Sequence, residues 1–395
     1  MSDLATLVTT WNYPTRIRFG VGTVRELAEA CRSAGMSRPL VVTDPGLARL
    51  PLLERVLEPL REARLAHAVF DGVRPNPTAA NVEAGVAILR ADRHDGVVAV
   101  GGGSALDVGK LVAFMAGQTR PIWDFEDVGD WWTRADPTGI RPVVAIPTTA
   151  GTGSEVGRAG VVTDPATHTK KIIFHPGMMP RCAILDPSLT TGLPPRLTAA
   201  TGMDALAHCI EAYCAPGFHP MAEGIAVEGI RLVLEALPVA VRDGNDLAAR
   251  GKMQAASAMG AVAFQKGLGA VHALSHPVGA VYDHHHGLLN GVLLPYVLAF
   301  NRPAIEAKIE RLAAWLGLER RFEAFLDAIL TLRTTTGIPH TLAELGMPED
   351  RIDELAAMGE RDPTAGGNPR PVDAATLARL YRCALEGRLP DPGGS

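Results

Sequence analysis

The 395-residue chain has little cysteine: five residues, an odd number, with no CxxC pair among them. That argues against a disulfide framework and against a CxxC metal or redox motif, and predicts reduced thiols. Nor is there an excess of basic charge. A formal charge of −5 and a pI near 6.2 leave no basic stripe, which argues against a nucleic-acid partner. No run of about 18 apolar residues occurs, so no membrane span is expected. The opening MSDLATLVTTWNYP lacks the basic start and continuous apolar core of a signal peptide, and a cytoplasmic location is expected. No internal repeat is evident.

What the chain does have is order along its length. The first half alternates strand-like and helix-like segments. PTRIRFG (14–20), PLVVTDPG (39–46), AHAVFDGV (66–73), the VVAV run before Gly101, RPVVAIP (141–147) and RCAILDPSL (181–189) read as strands, and TVRELAEACRSAG and the stretch after Thr78 read as helices, with Thr78 as N-cap. That alternation predicts βαβ units and a parallel sheet. From Pro194 onward the patterns are helical, without convincing strands between them. The expected fold is therefore α/β plus all-α: an N-terminal Rossmann-like, parallel-sheet domain, residues 1–188, and a C-terminal all-helical domain, residues 189–395. The final PDPGGS reads as a loose tail.

Gly101, Gly102, Gly103 and Ser104 stand between a strand and a helix. Glycines let backbone approach a phosphate, and free N–H groups at a helix start attract its charge. One glycine would suffice for a tight turn, so three with a serine favour the phosphate. Asp44 ends an earlier strand, where a carboxylate suits an adenosine ribose and repels a 2′-phosphate, favouring NAD over NADP; the same residue also fits a plain TDPG turn. The usual GxGxxG fingerprint precedes its acid by some 20 residues, and here the acid comes first, which predicts a variant dinucleotide fold. A second loop, Thr148-Thr149-Ala150-Gly151-Thr152-Gly153-Ser154-Glu155, follows another strand and suits the diphosphate or the nicotinamide end. Asp107 and Thr152 complete the candidate cofactor contacts.

The segment from Gly202 to Asn290 carries the metal chemistry. Asp204 and His208 stand four apart, and His272 and His276 repeat that spacing, so each pair shares a helix face. Five of the twelve histidines (His272, His276, His284, His285 and His286) fall within fifteen residues. Their neighbours are Ala, Gly, Val and Leu, which do not tolerate unpartnered imidazoles. One carboxylate and several imidazoles suit Fe²⁺ or Zn²⁺, and spacing alone leaves open which histidines bind.

GGGSALDVGK, PTTAGTGSE, the ILDP strand, GMDALAHCIEAY and VHALSHPVGAVYDHHHGLLNGVLLP, in this order, closely resemble the iron-containing (group III) alcohol dehydrogenases, from about Arg16 to Asn301. The resemblance implies a dehydroquinate synthase-like fold with the active site between its two domains. It implies Asp204, His208, His272 and His286 as metal ligands and His276 as a histidine near the substrate that relays a proton. It also implies Asp44 at the ribose, Gly101 to Ser104 at the diphosphate, and Thr148 and Thr149 along the cofactor.

The expected activity is metal-dependent, NAD(H)-linked hydride transfer between a primary alcohol, or its aldehyde, and nicotinamide. Departures from the family pattern bear on substrate. The extra histidines of HHHG, His284 and His285, are expected at the rim. Gly157-Arg158-Ala159-Gly160 suggests a roomier pocket, and Lys266 would favour an acidic substrate if it faced that pocket, though it fits a solvated lysine equally well. Alternatives are a maleylacetate reductase-like or hydroxyacid-type reductase, and a dehydroquinate synthase-like lyase, which the TTAGTGSE and GMDALAH motifs fit poorly. Strand RIRFG could pair across a two-fold axis, so a homodimer is expected.

Overall fold

The computed structural model describes Tyr13, residues 15–166 and residues 169–391. The opening stretch lies outside the described residues apart from Tyr13, as do the last four residues of the PDPGGS tail. The chain forms two compact units, Tyr13–Leu193 and the segment from Pro194 onward.

The first unit contains β1 (Arg16–Phe19), α1 (Leu27–Ser33), β2 (Pro39–Val42), α2 (Pro51–Glu62), β3 (Ala68–Phe70), α3 (Ala79–Ala91), β4 (Gly96–Gly101), α4 (Gly103–Met115), β5 (Val143–Pro147), β6 (Ala159–Asp164), β7 (Thr169–Phe174) and β8 (Cys182–Leu185). Six strands form one sheet in the order β1-β8-β5-β4-β2-β3, every pairing parallel. The central strands are Val- and Ile-rich because both faces are covered. Leu40, Val42, Val97, Ala99, Val143 and Ala145 pack into one core with residues of α3 and α4, and Val41, Val98, Val100, Val144 and Ile146 into another with α1 and α2. Thr78 and Asn81 form a capping box at α3, with Thr78 N–H donating to Asn81 Oδ1 at 3.0 Å. The antiparallel hairpin β6–β7 was not expected. Its residues are mostly half-buried, and its apolar stretches are only two or three residues long beside Thr, Asp and Lys, so no apolar run marked it.

The topology explains why the acid precedes the glycines. β2 has β3 on one side and β4 on the other, so strand order reverses between β2 and β4. Val42 pairs with Ala99, which places Asp44 and Gly101, each two residues further on, side by side at the carboxyl ends of these strands. Ligands of open α/β sheets bind at such a switch point.

The second unit is helical: α5 (Pro195–Cys214), α6 (Pro220–Arg242), α7 (Leu247–Ala263), α8 (Ala270–Tyr282), α9 (His286–Trp315), α10 (Phe322–Thr335), α11 (Ile352–Glu360) and α12 (Ala374–Glu386). α5 is buried on nearly every side, which its Ala-rich sequence and Gly202 permit. A Cβ on Gly202 would lie 2.3 Å from Leu237 of α6, and one on Gly260 of α7 would lie 3.0 Å from His208 Cβ. α9 runs unbroken through Pro295 and Pro303, whereas its sequence pattern is clear only from Pro303. It is long and apolar enough to cross a membrane, but 78% of its most apolar window is buried in the protein, as in a core helix. All five cysteines are free and buried.

Candidate metal and cofactor sites

α5 supplies Asp204, His208 and Glu211, at i, i+4 and i+7 on one face. All three are buried. α8 brings His272 against them, and α9 brings His286, its first residue. The ligand atoms of Asp204, His208 and His272 lie within 4.8 Å of one another. Asp204 Oδ1 stands 3.7 Å from His208 Nε2, 3.9 Å from His272 Nε2 and 3.5 Å from His286 Nε2. Four arms of about 2.0–2.2 Å in a tetrahedron put donors roughly 3.3–3.6 Å apart; Asp204, His208 and His272 group near that spacing, and His286 approaches the same carboxylate oxygen from α9 without joining the three-residue group.

The chemistry of the donors fits as well. His272 directs Nδ1 to Glu211 Oε2 at 2.5 Å, which leaves Nε2 facing Asp204. Burial acts most strongly on His272 and lowers its pKa, but the carboxylates of Glu211 and Asp204 outweigh it, and the pKa is raised. Asn290 donates from Nδ2 to Asp204 Oδ1 at 2.7 Å and lies 3.2 and 3.1 Å from Nε2 of His272 and His286. The residues present therefore fit a Fe²⁺ or Zn²⁺ centre.

His276 does not point to this carboxylate. Its Nδ1 meets Asp362 Oδ2 at 2.8 Å, and its ring stacks on that of His286 at 5.1 Å. Asp362 also accepts from the backbone N–H and hydroxyl of Thr364 at 2.9 and 2.6 Å. Burial pushes the Asp362 pKa up, but His276 and Thr364 together hold it below the usual carboxylate range. Sequence reasoning missed Glu211, Asn290 and Asp362. Glu211 had a local signal, continuing the Asp204–His208 face by one turn; Asp362 had none, lying 86 residues from its partner. His285 is exposed and N-caps α9, and His284 is half-buried beside Tyr282.

In the sheet unit, Gly101 has φ +143°, and a Cβ there would lie 2.7 Å from Ala105 Cβ and 3.5 Å from Asp44 Oδ2. A Cβ on Gly103 would meet Thr152 Cγ2 at 2.6 Å, and one on Gly102 would meet Thr149 Cγ2 at 3.5 Å. Glycine is needed here for close approach of the two loops. Gly102 caps α4 without any side-chain hydrogen bond, so no side chain closes off the helix start at Gly103 and Ser104. Asp44 Oδ1 accepts from the N–H groups of Gly46 and Leu47, both at 2.9 Å. Thr148 N–H donates to Gly101 O at 3.0 Å.

Two candidates are occupied by structural bonds. Asp107 accepts from Ser154 Oγ at 2.5 Å and from Val161 N–H at 3.1 Å, and pairs with buried Lys110 at 3.3 Å. Its carboxylate ties α4 to the loop and hairpin rather than being left for a cofactor. Lys266, its side chain 2% exposed, pairs with Glu223 at 2.7 Å and donates to Tyr213 O at 3.3 Å. Lys308 shares the same Glu223 oxygen. The ammonium is committed to this ion cluster rather than to an acidic substrate. Ala159 opens β6 opposite Phe174, and its carbonyl accepts from Lys110; the Arg158 guanidinium lies 5.5 Å from the Phe174 ring centre.

Comparison with known proteins follows the same lines. Residues 14–187 match the family described as iron-containing alcohol dehydrogenase, and residues 198–385 match the C-terminal part of the Fe-containing alcohol dehydrogenase family. A 4-hydroxybutyrate dehydrogenase of Cupriavidus necator is 38% identical over 94% of this chain and 99% of its own. An NAD-dependent methanol dehydrogenase of Bacillus methanolicus is 36% identical over 96% and 100%. Among solved structures, 1,3-propanediol oxidoreductase superposes with TM-score 0.91 at 37% identity, covering 95% of this chain and 100% of its own. Sulfoacetaldehyde reductase from Bifidobacterium kashiwanohense in complex with NAD⁺ gives 0.87 at 32%, covering 96% and 99%. The chain belongs to the iron-containing alcohol dehydrogenase family and is an NAD-linked, metal-dependent oxidoreductase acting on alcohols.

Proposed function

We propose that the protein interconverts a primary alcohol and its aldehyde, with Asp204, His208, His272 and His286 holding the metal. The observation that carries this is one buried carboxylate oxygen with three imidazole Nε2 atoms 3.5 to 3.9 Å away. A bound divalent ion supplies Lewis acidity toward the alcohol or carbonyl oxygen. The protein's part is to hold these donors, and His276, oriented by Asp362, passes the proton. The N-terminus of α4 with Gly101, Gly102, Gly103 and Ser104 binds the diphosphate, Asp44 the ribose, and Thr148, Thr149 and Thr152 the rest of the dinucleotide. The sheet unit, expected to end at residue 188 and closing at Leu193, is the cofactor domain, and the helical unit from Pro194 onward, expected from residue 189, is the metal domain.

Aldehyde reduction is the direction we favour for assay, in the cytoplasm. A homodimer is supported by β1, which pairs on one side only among the described strands and exposes Ile17 and Phe19 at 38 and 53%, with Val21 in the turn after it at 59%. The acidic-substrate reading is supported by relatives named for 4-hydroxybutyrate and sulfoacetaldehyde. Here Arg158 and Ala159, rather than Lys266, would shape the pocket.

The test is NADH oxidation by metal-stripped protein with Fe²⁺ or Zn²⁺ added back, against neutral short aldehydes and their carboxylate or sulfonate analogues. Metal-dependent turnover that Asp204→Ala and His272→Ala abolish, with NADH binding intact, is the expected result. Turnover independent of metal, or retained in both variants, would sink the assignment.

A further inference from the structure

We propose that Glu211 is a positioning residue that sets the metal affinity of the site through His272, an inference that rests on the ligand set above. Glu211 Oε1 accepts from Val271 N–H at 2.7 Å and Oε2 meets His272 Nδ1 at 2.5 Å. Both partners lie in the first turn of α8, where the free N–H groups and the helix dipole favour a carboxylate. Gly269, the N-cap of α8, has no side chain to fill that role. A Cβ on it would come within 3.0 Å of Glu211 Oε1 and 2.9 Å of Asn368 Oδ1, which accepts from Ala270 N–H at 3.2 Å. The start of α8 is thus capped from outside, by a glutamate on α5 and an asparagine from the far end of the chain.

Two consequences reach the metal. By accepting the Nδ1–H, Glu211 keeps the Nε2 lone pair of His272 facing Asp204, and its negative charge behind the ring makes that nitrogen a stronger donor. By holding Val271 N–H, it also fixes how far His272 stands from α5. Asp204, His208 and Glu211 are consecutive on one helix face, so a single helix carries two ligands and the support for a third.

Glu211→Gln keeps the shape and reverses the hydrogen bond. Its amide N–H₂ would donate to Nδ1, which moves the ring proton to Nε2 and blocks the ligand position. The metal-free protein is titrated with Zn²⁺ in competition with a chromophoric chelator, for the parent, Glu211→Gln, His272→Ala and the double variant. Glu211→Gln should weaken affinity about 10–100-fold, and the same change made in the His272→Ala background should shift it less than about threefold, because the partner is gone. A Glu211→Gln affinity within about threefold of the parent overturns the inference, as does an equal loss in both backgrounds. A parent that binds no Zn²⁺ overturns the proposed function along with it. Histidine ¹⁵N NMR of the unmodified metal-free protein, at a pH where His272 is neutral, gives an answer that needs no variant to fold: the proton on Nδ1 supports Glu211's role, and the proton on Nε2 overturns it.

Discussion

Gly287 stands directly after His286, where α9 meets α5. A Cβ there would lie 2.3 Å from Ala200 O, 2.9 Å from Ala200 C and 3.0 Å from Asp204 Cβ. The nearest atoms are backbone, so no rotamer change relieves the overlap. Gly287→Ala must push the start of α9 back by about 1 Å to reach ordinary contact. In the metal-free protein no ion ties His286 to the other ligands, so nothing at the site opposes that move. The 3.5 Å separation of His286 Nε2 and Asp204 Oδ1 then widens. Binding an ion draws the helix back and restores the overlap, at a cost of about 1–3 kcal/mol for overpacking. That cost appears only in the loaded state, and at 1.4 kcal/mol per tenfold it weakens affinity about 5- to 150-fold. Replacing a helical glycine by alanine also gains about 1 kcal/mol of helix propensity, but in both states, so it leaves the dissociation constant alone.

The assay is chelator competition on the metal-free protein, with Gly291→Ala as the control one turn on. There the nearest atoms are the side chains of Ile338 and Met203 at 3.1 Å, which can shift. An affinity for Gly287→Ala within twofold of the parent, or equal to that of Gly291→Ala, would refute the reasoning.

Two further predictions concern titratable groups. Glu155 is fully buried, and burial pushes its pKa from 4.5 to about 7. A carboxyl that keeps its proton longer folded than unfolded adds stability fully below the unfolded pKa and loses it as pH rises through the folded one. The parent should therefore lose melting temperature relative to Glu155→Gln between pH 4.5 and 7. The limit is about 3 kcal/mol, from (7 − 4.5) × 1.36; parallel melting profiles across that range would discard the idea. Asp362→Asn removes the charge that orients His276 but keeps the shape, so kcat should fall about 10–100-fold with KM for NADH unchanged. A KM effect without a kcat effect would place Asp362 outside the proton path.

Much of this molecule is legible in one dimension because the relevant physics is local. Val- and Ile-rich runs ending in glycine mark strands buried on both faces, and a four-residue spacing on α5 places Asp204 and His208 on one face wherever that helix lies. The all-helical character of the second half follows from periodicity in the same way. What local pattern cannot carry is the pairing of distant segments. Whether Asp44 would stand beside Gly101, 57 positions later in the sequence, was decided by β2 and β4 becoming neighbours at the switch point. Asp107 and Lys266 looked available in the sequence because free charged groups and committed ones read alike; the hairpin β6–β7 and Glu223 turned them inward. The orienting carboxylates belong to the same class. Glu211 meets His272 across 61 positions and Asp362 meets His276 across 86, and neither pair exists until α5, α8 and the segment after α11 are packed. The sequence by itself determined most of the elements, the small residues that let helices close around α5, and the stock of ligands; tertiary packing decided which imidazole nitrogens face Asp204, because tautomer and orientation follow from partners that only the folded chain brings within hydrogen-bond distance.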